Sequence, residues 1–65
     1  MSVFMTPTER RIAEQAAQGA RNDEIAEAVG LSRRTVEWHL SRIYRRLGVR
    51  SRTELAIHFA RRDER

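Results

Sequence analysis

Seven arginines fall between residues 33 and 52 of this chain, at positions 33, 34, 42, 45, 46, 50 and 52, and Glu37 is the one acid among them. Guanidinium groups carry a permanent charge and a planar fork of N–H donors, so a cluster of them suits phosphate oxygens and the acceptor edges of guanine. Trp38 stands inside the cluster, a large apolar ring where an ordinary solvated face would carry small or charged residues. Bond-making chemistry has far less to work with. There are two histidines, His39 and His58, no cysteine, no glycine-rich phosphate loop and no evident pair of convergent carboxylates. A zinc site needs about four ligands within tetrahedral reach, and His58 has no second ligand at metal spacing. His39 reads as a packed, hydrogen-bonded residue. The expectation is a binding protein with no catalytic residues, no metal and no cofactor.

The rest of the chain must hold that cluster in place. Sixty-five residues make one domain at most, expected over 1–65 with a core over about 6–60. The absence of cysteine leaves helix packing or a partner to stabilise it. Charge is unevenly distributed: residues 1–32 carry three arginines against five acids, residues 33–52 carry a net +6, and residues 53–65 balance, which sums to +4. A local basic stripe is the electrostatic signature of nucleic-acid binding. A merely solvated helix face would interleave both signs. All thirteen basic residues are arginine, which by itself carries no weight, because genome composition alone can produce it.

Caps and a 3.6-residue apolar period predict four helices and no sheet, an all-α fold. Thr6 and Glu9 form a capping-box pair, Pro7 suits a first helical position and Gly19 a stop, giving helix one over 7–18. Helix two runs over 22–29 to Gly30, its start weakly signalled. Helix three opens after Ser32 and continues over 33–47 to Gly48, a rod of about 22 Å. Ser51 and Glu54 repeat the capping-box pattern and open helix four to about Ala60, with 61–65 expected to fray.

On helix three, steps of about 100° bring Val36, Leu40, Ile43 and Leu47 into one apolar seam. Arg34, Trp38, Ser41 and Arg45 lie opposite, with Glu37 on one edge and Thr35, Arg42 and Arg46 on the other. Ala26 permits close approach of helix two, and Gly30, Leu31 and Ser32 supply a short turn. Together these are the parts of a helix-turn-helix whose second helix enters a major groove.

The segments Met5-Thr6-Pro7-Thr8-Glu9-Arg10, Asn22-Asp23-Glu24-Ile25-Ala26, Thr35-Val36-Glu37-Trp38-His39, Arg46-Leu47-Gly48-Val49 and Ser51-Arg52-Thr53-Glu54-Leu55 resemble, in order and spacing, the LuxR-type DNA-binding domain of bacterial transcription regulators. The resemblance spans about 5–60. It implies base contacts from Glu37, Trp38 and Ser41, and phosphate contacts from Asn22, Thr35, Arg42 and Arg46; the helical-face reading adds Arg34 and Arg45. Two positions depart from the family. Arg21 stands where a hydroxyl residue is usual, so the cap of helix two is expected from Asn22 or a bound phosphate. Glu37 stands where a basic residue is usual, so base preference does not transfer; a glutamate can instead accept from cytosine N4.

On helix four, Arg52, Leu55, Ala56 and Phe59 share one side, and Thr53, Ile57 and Ala60 nearly the opposite one. The resemblance implies a homodimer through the second stripe, which would set two reading helices about 34 Å apart. The expected partner is double-stranded DNA, with no membrane and no small-molecule ligand, in a cytoplasmic setting, since the chain shows no signal peptide, lipid anchor or long apolar span. Two alternatives stand beside this one. The basic helix and Trp38 suit docking to an acidic protein, and a region-four-like sigma-factor fragment shares the helix-turn-helix but lacks the Leu47-Gly48-Val49 and Ser51-Arg52-Thr53 context.

Overall fold

A computed structural model describes residues 5–63. Among them are four helices and no strand: α1 (Pro7–Ala17), α2 (Asn22–Val29), α3 (Arg33–Leu47) and α4 (Arg52–Asp63). The all-α expectation holds, α2 and α3 match their expected bounds, and α1 stops one residue sooner. At the far end α4 continues as helix to Asp63, where fraying was expected from Arg61; residues 64 and 65 lie outside the described residues.

Each helix starts and stops for local reasons. The Thr6 hydroxyl accepts from the Glu9 N–H at 3.1 Å, and the Glu9 carboxylate accepts from the Thr6 N–H at 3.1 Å, the reciprocal pair its spacing predicts. Ser32 caps α3, its Oγ accepting from the Thr35 N–H at 3.1 Å. Between α2 and α3 the chain reverses on Gly30, at φ 75°, a left-handed conformation that costs a residue with a Cβ. Its N–H and that of Leu31 both donate to the Ala26 carbonyl, which closes α2.

Helix α2 corrects an expectation. Asn22 does not occupy the cap: Arg21 stands at the N-cap position without a side-chain cap, and the Glu24 carboxylate reaches back to accept from the Arg21 N–H at 2.8 Å. One half of a capping box does the work, because an acid three residues into the helix reaches the orphan N–H whatever side chain precedes it.

The core draws on all four helices: Ile12, Ala13 and Ala16 of α1, Ile25 and Ala26 of α2, Val36, Leu40 and Ile43 of α3, and Leu55 of α4. Leu47, Phe59, Leu31 and Tyr44 pack around it, half-buried. Helix α1 lies against each of the other three, and α2 packs on α3. Three small alanines in the centre let these short helices approach closely, so α1 is the platform on which the α2–turn–α3 unit rests. Among the described residues, no helix is long and apolar enough to cross a membrane.

Candidate nucleic-acid interface

Three of the four seam residues of α3 lie in the core, with Val36 and Ile43 at 0% exposure and Leu40 at 4%, and Leu47 is half-buried at its end. A rigid rod anchored so completely on one side has a defined other side. Arg34, Glu37, Trp38, Ser41, Arg42 and Arg45 all face solvent there, and Trp38, 56% exposed, packs against none of the other helices as a core residue. The Arg42 guanidinium sits over the indole, 4.8 Å from the ring centroid, and the His39 ring meets it edge-on at 5.1 Å. Trp38 thus has one ring face covered by Arg42 and a flank against His39, while more than half of its surface stays open.

The arginines of this face differ in what they already hold. Among the described residues, the side chains of Arg34 and Arg45 make no ion pair or hydrogen bond, and that of Arg42 has only its contact with Trp38. Arg33 donates through Nε to Glu37 Oε2 at 3.2 Å, one turn along the helix. Arg46 is turned toward α1, where its guanidinium meets the Glu9 carboxylate at 3.2 Å, with the two side chains 33% and 11% exposed. Arg42, Arg45 and Arg46 together line a shallow basic cleft.

Glu9 is the one buried charged residue of the described chain. The Thr6 N–H hydrogen bond holds its carboxyl below the usual carboxylate range; burial pulls the other way, and the Arg46 hydrogen bond and charge, with a smaller influence from His39, reinforce the lowering.

Asn22 and Thr35 sit where α2 and α3 begin, and both have prior commitments. The Thr35 hydroxyl shares a 2.8 Å hydrogen bond with Ser32 Oγ inside the cap. Asn22 Oδ1 accepts from Arg52, whose other amino group donates to the Ala20 carbonyl, so α4 is tied to the entrance of α2. Asn22, Glu37, Ser41, Tyr44 and Arg52 then line one cleft between α2, α3 and α4.

Sequence reasoning did not anticipate the Glu9–Arg46 pair or the bridge from Arg52. Partners 37 and 30 residues apart leave no local spacing to detect. One signal was present for Arg52, which shares the side of α4 that carries Leu55 and Phe59; a cation on a core-facing stripe has to find acceptors. His39 departs from expectation in one respect, since its Nδ1 is buried with no hydrogen-bond partner. His58 Nε2 is in the same position, with the ring edge-on to Phe59 at 5.9 Å. No group of three or more metal-ligating side chains comes together among the described residues.

On α4, Leu55 is buried and Ala56 and Phe59 half-buried, whereas Thr53, Ile57 and Ala60 face outward, with Ile57 48% exposed. The two stripes separate as their spacing requires.

Comparison with known proteins agrees with this geometry. Residues 3–59 match the family described as "Bacterial regulatory proteins, luxR family". The transcriptional regulatory protein ComA of Bacillus subtilis is 42% identical over 59 residues, 91% of this chain and 27% of ComA. The transcriptional regulatory protein UhpA of Escherichia coli is 44% identical over 52 residues, 80% of this chain and 26% of UhpA. The tetrathionate response regulatory protein TtrR of Salmonella typhimurium is 42% identical over 55 residues, 85% of this chain and 27% of TtrR. The chain thus spans about a quarter of these relatives, and 7% of a much longer one from Mycobacterium tuberculosis. No solved structure matches it at a significant level.

Proposed function

From the premise that this chain belongs to the luxR family of bacterial regulatory proteins, a family of DNA-binding transcription regulators, we propose that it reads double-stranded DNA sequence-specifically through the outer face of α3. The observation that carries the reading is the bare back of that helix. An indole 56% exposed, flanked by Arg34, Arg42 and Arg45, stands opposite Val36, Leu40 and Ile43, which are buried to within 4%. A protein surface has little use for such a combination in water, whereas a major groove covers the indole and neutralises the guanidinium groups.

In this reading the whole of 1–65 acts as a single module within the cytoplasm, and residues divide by what they touch. Trp38, Ser41 and Glu37 face base edges; Arg34, Arg42 and Arg45 face phosphates on either wall of the groove. Asn22 and Thr35 stand at helix N-termini, where backbone N–H groups also favour phosphate. Arg46 reaches phosphate only while sharing its charge with Glu9. Two copies meeting through Thr53, Ile57 and Ala60 would read two half-sites one helical turn apart.

Selection of bound sequences from a random duplex pool at fixed salt, with the unsubstituted chain and with Trp38→Ala, tests the proposal. The chain is expected to recover a motif, and Trp38→Ala to bind duplex with that motif blurred and the fold intact. Failure to bind any duplex at low ionic strength would overturn it, and would leave an acidic protein as the surface's partner.

A further inference from the structure

The reading face contains one carboxylate, and it is not idle. Glu37 projects from the first turns of α3, the part of a reading helix that lies nearest base edges. Facing a polyanion, an unpaired carboxylate there would oppose binding. Its Oε2 is instead held at 3.2 Å by Arg33 Nε, with both side chains well exposed at 48% and 72%. Among the described residues its Oε1 accepts nothing further. On the arginine, Nε is engaged and both amino groups are unengaged, so the pair presents two donor groups on one side and a vacant acceptor on the other.

We propose, resting on the DNA-binding reading above, that Arg33 and Glu37 act together as a specificity unit for a G·C base pair. The pattern of the groove edge decides this. Across the major groove a G·C pair offers acceptor, acceptor and donor, in guanine N7, guanine O6 and cytosine N4. The Arg33 amino groups meet the two acceptors, Glu37 Oε1 takes the cytosine donor, and every polar group is satisfied. An A·T pair offers acceptor, donor and acceptor, with the thymine methyl beyond. Against it one arginine donor meets the adenine amino group or the carboxylate faces a lone pair, and a desolvated polar group is left unmatched. The salt link also removes the cost of carrying an acid on this face, because the pair is neutral as a whole. Arg33 is in part a positioning residue: its Nε–H fixes the carboxylate before any base arrives.

The experiment is binding-site selection with the full chain and two variants, Glu37→Gln and Arg33→Gln, alongside thermal unfolding of each. The unsubstituted chain is expected to demand G·C at one position of the half-site. Both variants should relax the same position, by tenfold or more in relative enrichment, and Glu37→Gln should shift toward A·T, because an amide suits adenine N6 and N7. A link that merely supported the helix would lower the unfolding temperature and leave the motif unchanged. Duplex binding with the same motif in both variants, or loss at two different positions, overturns this inference alone. Absence of duplex binding by the unsubstituted chain overturns the DNA reading and this one with it.

Discussion

Arginine serves two purposes in this molecule, and the two regions where it does so adjoin. Where α4 meets the start of α2, and where α3 meets α1, Arg52 and Arg46 are bound to protein acceptors: the Ala20 carbonyl and Asn22 in one case, the Glu9 carboxylate in the other. On the outer face of α3, Arg34 and Arg45 hold no protein acceptor among the described residues, and Arg42 touches only the Trp38 ring. The charge count of the sequence does not distinguish the two groups. The net +6 over residues 33–52 already sets Glu37 against the arginines, and it still overstates the field a polyanion meets, since Arg46 faces Glu9 from outside that stretch and Arg52 is drawn between helices. Arginines that build the reading surface are thus separable from arginines that form it.

The sharpest way to break that separation is Arg52→Ala. It strands the Ala20 carbonyl and Asn22 Oδ1 in a half-buried junction, and an unsatisfied polar group of this kind costs about 1–3 kcal/mol. In a domain of this size that lowers the unfolding temperature by roughly 10 °C. Thermal unfolding followed by circular dichroism checks it; an unchanged melt would put Arg52 among the free cations. Arg34→Ala, by contrast, should leave the melt within a degree or two.

Glu9→Gln is expected to cost somewhat less, about 1–2 kcal/mol at neutral pH, from a weakened cap and a lost part-buried ion pair. It also carries a pH signature. Because the folded-state pKa of Glu9 lies below its ordinary 4.5, its stabilisation is fully present above that value and is lost as pH falls through the folded-state value. Urea unfolding at pH 7 and at about pH 3 should therefore show a difference between the original and Glu9→Gln chains that shrinks in acid. A difference that persists would mean the cap is lost but the charge was never engaged.

The fold was legible in the sequence to the extent that its determinants are local. Caps at Thr6, Ser32 and Ser51, stops at Gly30 and Gly48, and the seam Val36-Leu40-Ile43 all act within one or two turns, and the four helices follow from them. The exposed face of α3 was legible for the same reason, since a helix with one buried seam fixes the direction of every other side chain. What could not be read was which charges face one another across the tertiary structure. Arg46 was expected at the outer edge and is turned inward by Glu9, a partner 37 residues away. The start of α2 differs in kind: Arg21 at the N-cap offers no side-chain acceptor, and the bond comes from Glu24, three residues further along the chain.

Salt dependence offers a finer discrimination between the two groups. Each phosphate neutralised contributes about 0.9 to the slope of log affinity against log salt. Arg42→Ala should flatten the slope by about that amount, on specific and random duplexes alike, with little change in stability. Arg46→Ala should flatten it by less, because the cation it removes already shares its charge with Glu9. Equal changes for the two substitutions would show that DNA draws Arg46 away from Glu9, and would erase the distinction at that position.

The smallest effect is expected at Ile57, and its value is as a control on the comparison. Among the described residues Ile57 and Trp38 are the two large apolar side chains left exposed, but their neighbours differ: Trp38 lies among guanidinium groups, whereas Ile57 shares its stripe with Thr53 and Ala60, bordered by Glu54 and Arg61, whose charges cancel. A neutral apolar stripe suits a second copy of the chain better than a phosphate backbone, although one exposed isoleucine is unremarkable alone. Ile57→Glu should weaken binding to paired half-sites by up to about tenfold, the equivalent of about 1.4 kcal/mol, and leave a single half-site unaffected. Equal loss on both duplexes would place α4 in contact with DNA rather than with a partner chain. No loss on either would leave α3 to bind each half-site independently, with the spacing of the operator set by something other than this face.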